Sequence, residues 1–67
     1  MSNLYANTIH DKIGFSVMRN ERITVPAGTE VRIPAAQVES GRSYYDAKAR
    51  VNGRLVRLQV REASIIR

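Results

Sequence analysis

The side chains best suited to chemistry in this sequence are cations on two neighbouring segments of its second half. Together with one aromatic ring they form a candidate site for an anionic partner: Tyr44, Lys48, Arg50, Arg57 and Arg61. A guanidinium group can make two parallel hydrogen bonds to a phosphate or carboxylate and can stack on a flat ring. Cations spaced along a β-face beside a ring that can stack on a base are typical of nucleic-acid-binding surfaces.

The positive charge of the chain is concentrated around this candidate site. The 67 residues carry 11 Lys and Arg against 6 Asp and Glu, a formal charge of +5. Residues 1–41 hold four cationic and four anionic side chains, whereas residues 42–67 hold seven and two. Such an asymmetry bears on partners and solubility rather than on fold. A genome whose base composition favours Arg codons would explain the Arg excess equally well.

Residues for catalysis or cofactor binding are absent or scattered. The chain has no Cys, which excludes disulfides, thiolate nucleophiles and Cys-ligated zinc. The single histidine, His10, has no spacing that joins it to Ser16 or Ser64 as a catalytic triad, and the acidic residues do not cluster as metal ligands do. Glu21 and Glu30 could approach each other across a hairpin, but exposed acids there are usually solvated. No phosphate-binding loop occurs. We expect no enzyme activity, no cofactor and no metal.

The candidate site is positioned by the clearest local signal, Asn52-Gly53. Asn followed by Gly accepts the positive φ that both central residues of a type I′ turn require, so residues 43–51 and 54–60 are predicted to form a hairpin. The turn fixes the register. One face, apolar beyond the turn, pairs Val51 with Arg54, Ala49 with Val56, Ala47 with Leu58, and Tyr45 with Val60. The other face, polar and mostly cationic, pairs Arg50 with Leu55, Lys48 with Arg57, Asp46 with Gln59, and Tyr44 with Arg61.

The cationic face has three explanations from sequence alone. Lys48 directly opposite Arg57 is a like-charge pair, which is mildly destabilising by itself. The face could be solvated, with long stems covering apolar surface, or be neutralised by Glu21, Glu30 or Glu39. It could instead bind nucleic acid or a ribonucleoprotein, with little sequence specificity because no base-reading motif is present.

The alternative function is a protein–protein interaction module, either a homo-oligomer or a regulator of an acidic partner protein. Interfaces are also enriched in Arg and Tyr, and a chain of this length has a core barely large enough for a lone monomer. Tyr5 and Leu55 are the main interface candidates, with Met18 and Val38, because each is apolar on an expected outer surface.

Alternation and turn residues predict the remaining elements. Strands are expected around residues 13–17, 22–25 and 29–33, with a turn at 25–28. One helical turn is expected at 35–38, a short 3-10 turn at 61–64 and a last strand at 64–67. Residues 1–12 are predicted as either a frayed strand around 4–6 or a short helix capped by Ser2. The expected core comprises Ile13, Phe15, Val17, Ile23, Val25, Val31, Ile33, Tyr45, Ala47, Ala49, Val56, Leu58, Val60, Ile65 and Leu4.

These elements predict an all-β single domain, a small closed barrel of five or six short antiparallel strands with residues 1–12 peripheral. The tight hairpin, the short turn at 62–64 and the closing strand at Ile65-Ile66 resemble the SH3-like small barrel over roughly residues 13–67. The aromatic and acidic motif with which signalling SH3 domains bind proline-rich peptides is not evident, and there is no Trp. With no long apolar run, no export signal and no Cys, we expect a cytoplasmic protein without a membrane partner.

Overall fold

Seven antiparallel strands form one sheet that curls into a half-barrel in the computed structural model, which describes residues 2–67. The strands are β1 (Asn3–Thr8), β2 (Lys12–Ser16), β3 (Glu21–Val25), β4 (Glu30–Pro34), β5 (Tyr45–Val51), β6 (Arg54–Val60) and β7 (Ile65–Ile66). A short helix α1 (Ala35–Glu39) joins β4 to β5, and a 3-10 turn (Glu62–Ser64) precedes β7. The strand order in the sheet is β3-β2-β6-β5-β4-β1-β7.

The all-β prediction is confirmed, but the strand count and the closure are corrected. There are seven strands rather than five or six, partly because β1 is a full strand paired with both β4 and β7. The alternative of a short helix capped by Ser2 is therefore wrong. No ladder between β3 and β7 closes the described sheet, so it is a half-barrel and not the closed barrel that was expected. The fold is compatible with an SH3-like or OB-like barrel.

The hairpin of β5 and β6 has the predicted register at every pair from Tyr45–Val60 to Val51–Arg54. Asn52 and Gly53 have φ values of 52° and 78°, as a type I′ turn requires. The predicted helical turn and 3-10 turn are also present as α1 and residues 62–64. The hairpin therefore separates a buried face from an exposed one, as predicted.

The connection between β3 and β4 is not a hairpin, in contrast to the expectation that Glu21 and Glu30 could approach across one. β3 pairs with β2 at one edge of the sheet, whereas β4 lies between β5 and β1. The connecting turn is held instead by the end of β1. The buried Thr8 donates its hydroxyl to the carbonyl of Pro26 (3.0 Å), and its backbone carbonyl accepts the N–H of Gly28 (2.6 Å).

The face of β2 that points inward is the opposite of the one predicted. Ile13, Phe15 and Val17 were placed in the core, but they are 65%, 41% and 54% exposed, and the buried residues of this segment are Gly14 and Ser16. A Cβ atom at Gly14 would overlap Cγ1 of Val56 and lie 3.2 Å from the carbonyl oxygen of Arg57. The inner surface beneath β2 therefore has room for small residues only.

The core lies inside the half-barrel and is otherwise largely as predicted. Ile23 packs against it while only partly buried, and Leu4 is also half-buried. Ala6 joins it unpredicted, and Val51 joins it as the predicted hairpin face implies, although Val51 is not in the expected core. The buried apolar residues are Ala6, Val25, Val31, Ile33, Tyr45, Ala47, Ala49, Val51, Val56, Leu58, Val60 and Ile65. Within residues 2–67, every buried side-chain nitrogen or oxygen has a hydrogen-bond partner.

Candidate nucleic-acid interface

The strand register aligns four cations and two aromatic rings in a single line across six strands. Directly opposed residues of antiparallel strands share a face of the sheet, and each member of the line opposes the next on the neighbouring strand. All six side chains are exposed. We call this line the outer row; from β3 to β1 it comprises Arg22, Phe15, Arg57, Lys48, Arg32 and Tyr5.

The five residues predicted as the binding site are all exposed, at or beside the outer face of the hairpin. Lys48 and Arg57 oppose each other in the centre of the outer row. Arg50 lies two residues further along β5, opposite Leu55. Tyr44 and Arg61 lie just outside the strands, beyond the open end of the hairpin. The site is thus one surface, with a cationic centre and a ring near one end.

Tyr44 and Arg61 contact each other, as their predicted pairing implies. The guanidinium carbon of Arg61 lies 4.6 Å from the centroid of the Tyr44 ring, and its Nη2 donates a hydrogen bond to the Tyr44 hydroxyl. This geometry is that of a cation–π contact. One face of the ring is therefore covered by Arg61, although the residue remains 40% exposed.

The cations of the outer row lack acidic partners in the described part of the chain. The ion pairs there are Arg42–Asp46 (3.4 Å), Arg54–Glu21 (3.1 Å) and Arg67–Glu62. Glu21 thus pairs near the Asn52-Gly53 turn, away from the row, and neither Glu30 nor Glu39 forms an ion pair. Ion pairs therefore do not neutralise the outer row, although Glu30 lies beside Arg32 and Lys48 in the same surface depression.

Lys48 lines three shallow depressions on the outer face, and two of them contain an aromatic ring. The first has a volume of about 370 Å³ and the second about 460 Å³, and Lys48 lines both. Tyr5, Glu30, Arg32, Arg50 and Leu55 contribute to the first depression. Phe15, Arg22, Asp46, Arg57 and Gln59 are among the residues that contribute to the second. Each of these two depressions therefore combines an aromatic ring with several cations, which suit phosphate, and with one carboxylate, Glu30 or Asp46.

Sequence reasoning missed three members of the outer row: Arg22, Phe15 and Arg32. It predicted register only within the 44–61 hairpin, because a two-residue turn fixes pairing locally. The pairings of β2 with β6 and of β4 with β5 join distant segments, and no local pattern specifies them. The one available signal was Gly14, since a glycine inside a strand often marks a close approach of another backbone.

Exposed apolar side chains form a second feature of the same side of the molecule. Ile13 and Phe15 on β2 are followed in the next turn by Val17 and by Met18, which is 92% exposed. Tyr5 and Leu55, the predicted interface candidates, are also exposed, at 58% and 43%. Val38 is different, because it packs against the core and is half-buried.

Among residues 2–67 there is no helix with the length and hydrophobicity needed to cross a bilayer. Comparisons of the chain with protein-family models, with curated proteins and with solved structures find no match.

Proposed function

We propose that this protein is a non-catalytic module that binds nucleic acid or a ribonucleoprotein through the outer face of its sheet, with little sequence specificity. The observation that carries the proposal is the outer row, in which Arg57, Lys48 and Arg32 stand on three adjacent strands. Within residues 2–67, none of the three forms an ion pair. Phe15 and Tyr5 flank these cations. Arg50, Tyr44 and Arg61 extend the same surface along the hairpin.

The electrostatic arrangement is costly without a partner. Neighbouring strands are about 4.8 Å apart, so three like charges follow one another at short range, and like charges directly opposite each other destabilise a sheet. A polyanion would relieve this repulsion and would release its own condensed counterions on binding. The surface is therefore better suited to a phosphate backbone than to an uncharged ligand.

The test is a titration with a short duplex and a single strand at low and moderate salt. We expect binding whose log K falls linearly with log salt, by about 0.9 per phosphate contact for duplex or about 0.7 for single strands. Combined Lys48→Glu, Arg50→Glu and Arg57→Glu changes should abolish it. As a matched control, Arg19→Glu makes the same charge change as Lys48→Glu at an exposed position outside the row, and it should weaken binding much less. Absence of binding at low salt would contradict the proposal.

The alternative is a protein–protein interaction module, either self-associating or bound to an acidic protein surface. The exposed apolar residues Ile13, Val17 and Met18 favour it, because all three belong to β2 or to the turn that follows it. This alternative predicts a molecular mass in light scattering that rises with concentration and falls on Leu55→Glu or Tyr5→Ser. A constant monomer mass would contradict the self-associating form.

We also keep the SH3-like barrel as the proposed fold family. The tight turn at Asn52-Gly53, the 3-10 turn at Glu62–Ser64 and the last strand β7 support it, in the order expected. The cytoplasmic location stays a prediction.

A further inference from the structure

We infer that the nucleic acid is single-stranded and runs along the outer row, across the strands, with bases stacked on Phe15 and Tyr5 and phosphates on Arg57, Lys48 and Arg32. This inference rests on the proposed function and narrows its substrate class. On this path the three cations lie between two rings, with Phe15 next to Arg57 and Tyr5 next to Arg32.

The two rings are the aromatic side chains of the row that a base can reach. Tyr5 is 58% exposed and Phe15 is 41% exposed. Among the described residues, Tyr44 is the one aromatic residue whose ring is covered by a cation, and that cation is Arg61. The rings of Phe15 and Tyr5 carry no such cover. Each ring lines a depression that Lys48 also lines, so a base could sit there next to a cation.

The distance between the rings suits a short oligonucleotide. From β2 through β6, β5 and β4 to β1 there are four strand intervals, or about 19 Å at about 4.8 Å each. A stacked strand advances about 3.4 Å per nucleotide, and a more extended strand advances further. The path therefore holds about four to six nucleotides, at the lower end of the site sizes known for small single-strand-binding β-barrels.

The curvature of the sheet favours a flexible strand over a duplex. The row runs across the strands, which is the direction in which the half-barrel curls, within a molecule only 31 × 23 × 18 Å in extent. Duplex DNA is stiff over about 150 base pairs, so it can touch only a short part of such a convex path. Its bases are also stacked on one another, so the two rings would find no free base face.

The test uses fluorescently labelled oligothymidylates of increasing length and a short duplex of the same label. We expect single-strand affinity to rise up to about four to six nucleotides and then level off, and to exceed duplex affinity at equal salt.

Phe15→Leu and Tyr5→Leu should each weaken single-strand binding by about 5- to 100-fold with an unchanged salt slope. Arg32→Gln should flatten the slope by about 0.7. Met18→Ala, which removes an exposed apolar side chain outside the row, should change neither.

A second measurement does not depend on variants and so is unaffected if one fails to fold. An oligonucleotide carrying the fluorescent base 2-aminopurine should lose fluorescence when bound to the unmodified protein, because stacking on a ring quenches it. Absence of binding to any nucleic acid at low salt would overturn the proposed function itself. Binding in which the duplex equals or exceeds the single strand, or in which ring removal leaves affinity unchanged, would overturn this inference alone.

Discussion

Gly14 decides which face of β2 is buried. Ile13 and Phe15 are larger and more apolar than their alternating partners, yet they point outward because the position of Gly14 is closed off by Val56, Val25 and the backbone of Arg57. The burial of one small residue therefore places an aromatic ring in the outer row.

The contact between Gly14 and Val56 predicts a strong coupling between these positions. Gly14→Ala should destabilise the fold by about 1–3 kcal/mol, since overpacking a filled core has a cost of that size. Val56→Ala removes the clashing methyl groups, so the double variant should be more stable than the sum of the two single effects predicts. Urea denaturation of the four proteins measures the coupling. Simple additivity would show that the sheet does not approach Gly14 this closely.

Sequence alternation reveals that a segment is a strand but not which of its faces is buried. For β5 and β6 the buried face is clear, because one side is apolar beyond the turn and the other is charged. For β2 both sides are uncharged except Lys12, and the larger side chains were assigned to the core. The space available to each face depends on the curl of the whole sheet, which no local pattern contains.

The orientation of β2 can be checked against that of β4 with two matched substitutions. Ile13 is 65% exposed and Ile33 is fully buried. Ile13→Ala should therefore change the free energy of unfolding by no more than about 0.5 kcal/mol, whereas Ile33→Ala should lower it by about 2–5 kcal/mol. Thermal or urea unfolding of both variants gives the comparison. Similar large losses in both would mean that Ile13 belongs to the core after all.

At the scale of strands, the outer row depends on some pairings between strands that are neighbours in the sequence and on others between strands that are far apart in it. The β5–β6 hairpin was predicted in full, and with it the opposition of Lys48 and Arg57. The rest of the row comes from pairings that join β6 to β2 and β5 to β4. Those pairings bring Phe15 and Arg32 to either side of the cationic pair, so a two-residue cluster becomes a continuous path.

Because like charges meet in this path, removing one should affect stability and binding in opposite directions. Lys48→Gln should raise the free energy of unfolding by about 0.2–1 kcal/mol at low salt while weakening nucleic-acid binding. The gain should shrink as salt is added, because screening weakens surface repulsion. Arg54→Gln is the matched control, since Arg54 is paired with Glu21 and its loss should not stabilise the fold. If Lys48→Gln lowered the free energy of unfolding as much as Arg54→Gln does, the proposed repulsion between Lys48 and its neighbouring cations would be contradicted.

The whole molecule combines a small core with a charged convex surface. Strands make up 56% of the chain. The inner face of the sheet holds nearly all of the buried apolar side chains. The outer face carries the row of four cations and two rings, and we propose it as the surface that binds nucleic acid. The strand register therefore determines both which side chains form the core and which side chains form the proposed binding surface.

The most direct test of this account locates the bound nucleic acid by NMR. Titrating a six-nucleotide single strand into ¹⁵N-labelled protein should shift the amides of Phe15, Arg32, Lys48 and Arg57 most. The 3-10 turn at Glu62–Ser64 and the turn around Gly28 should change little. Shifts centred on those turns, or no shifts at low salt, would show that the outer row is not the binding surface.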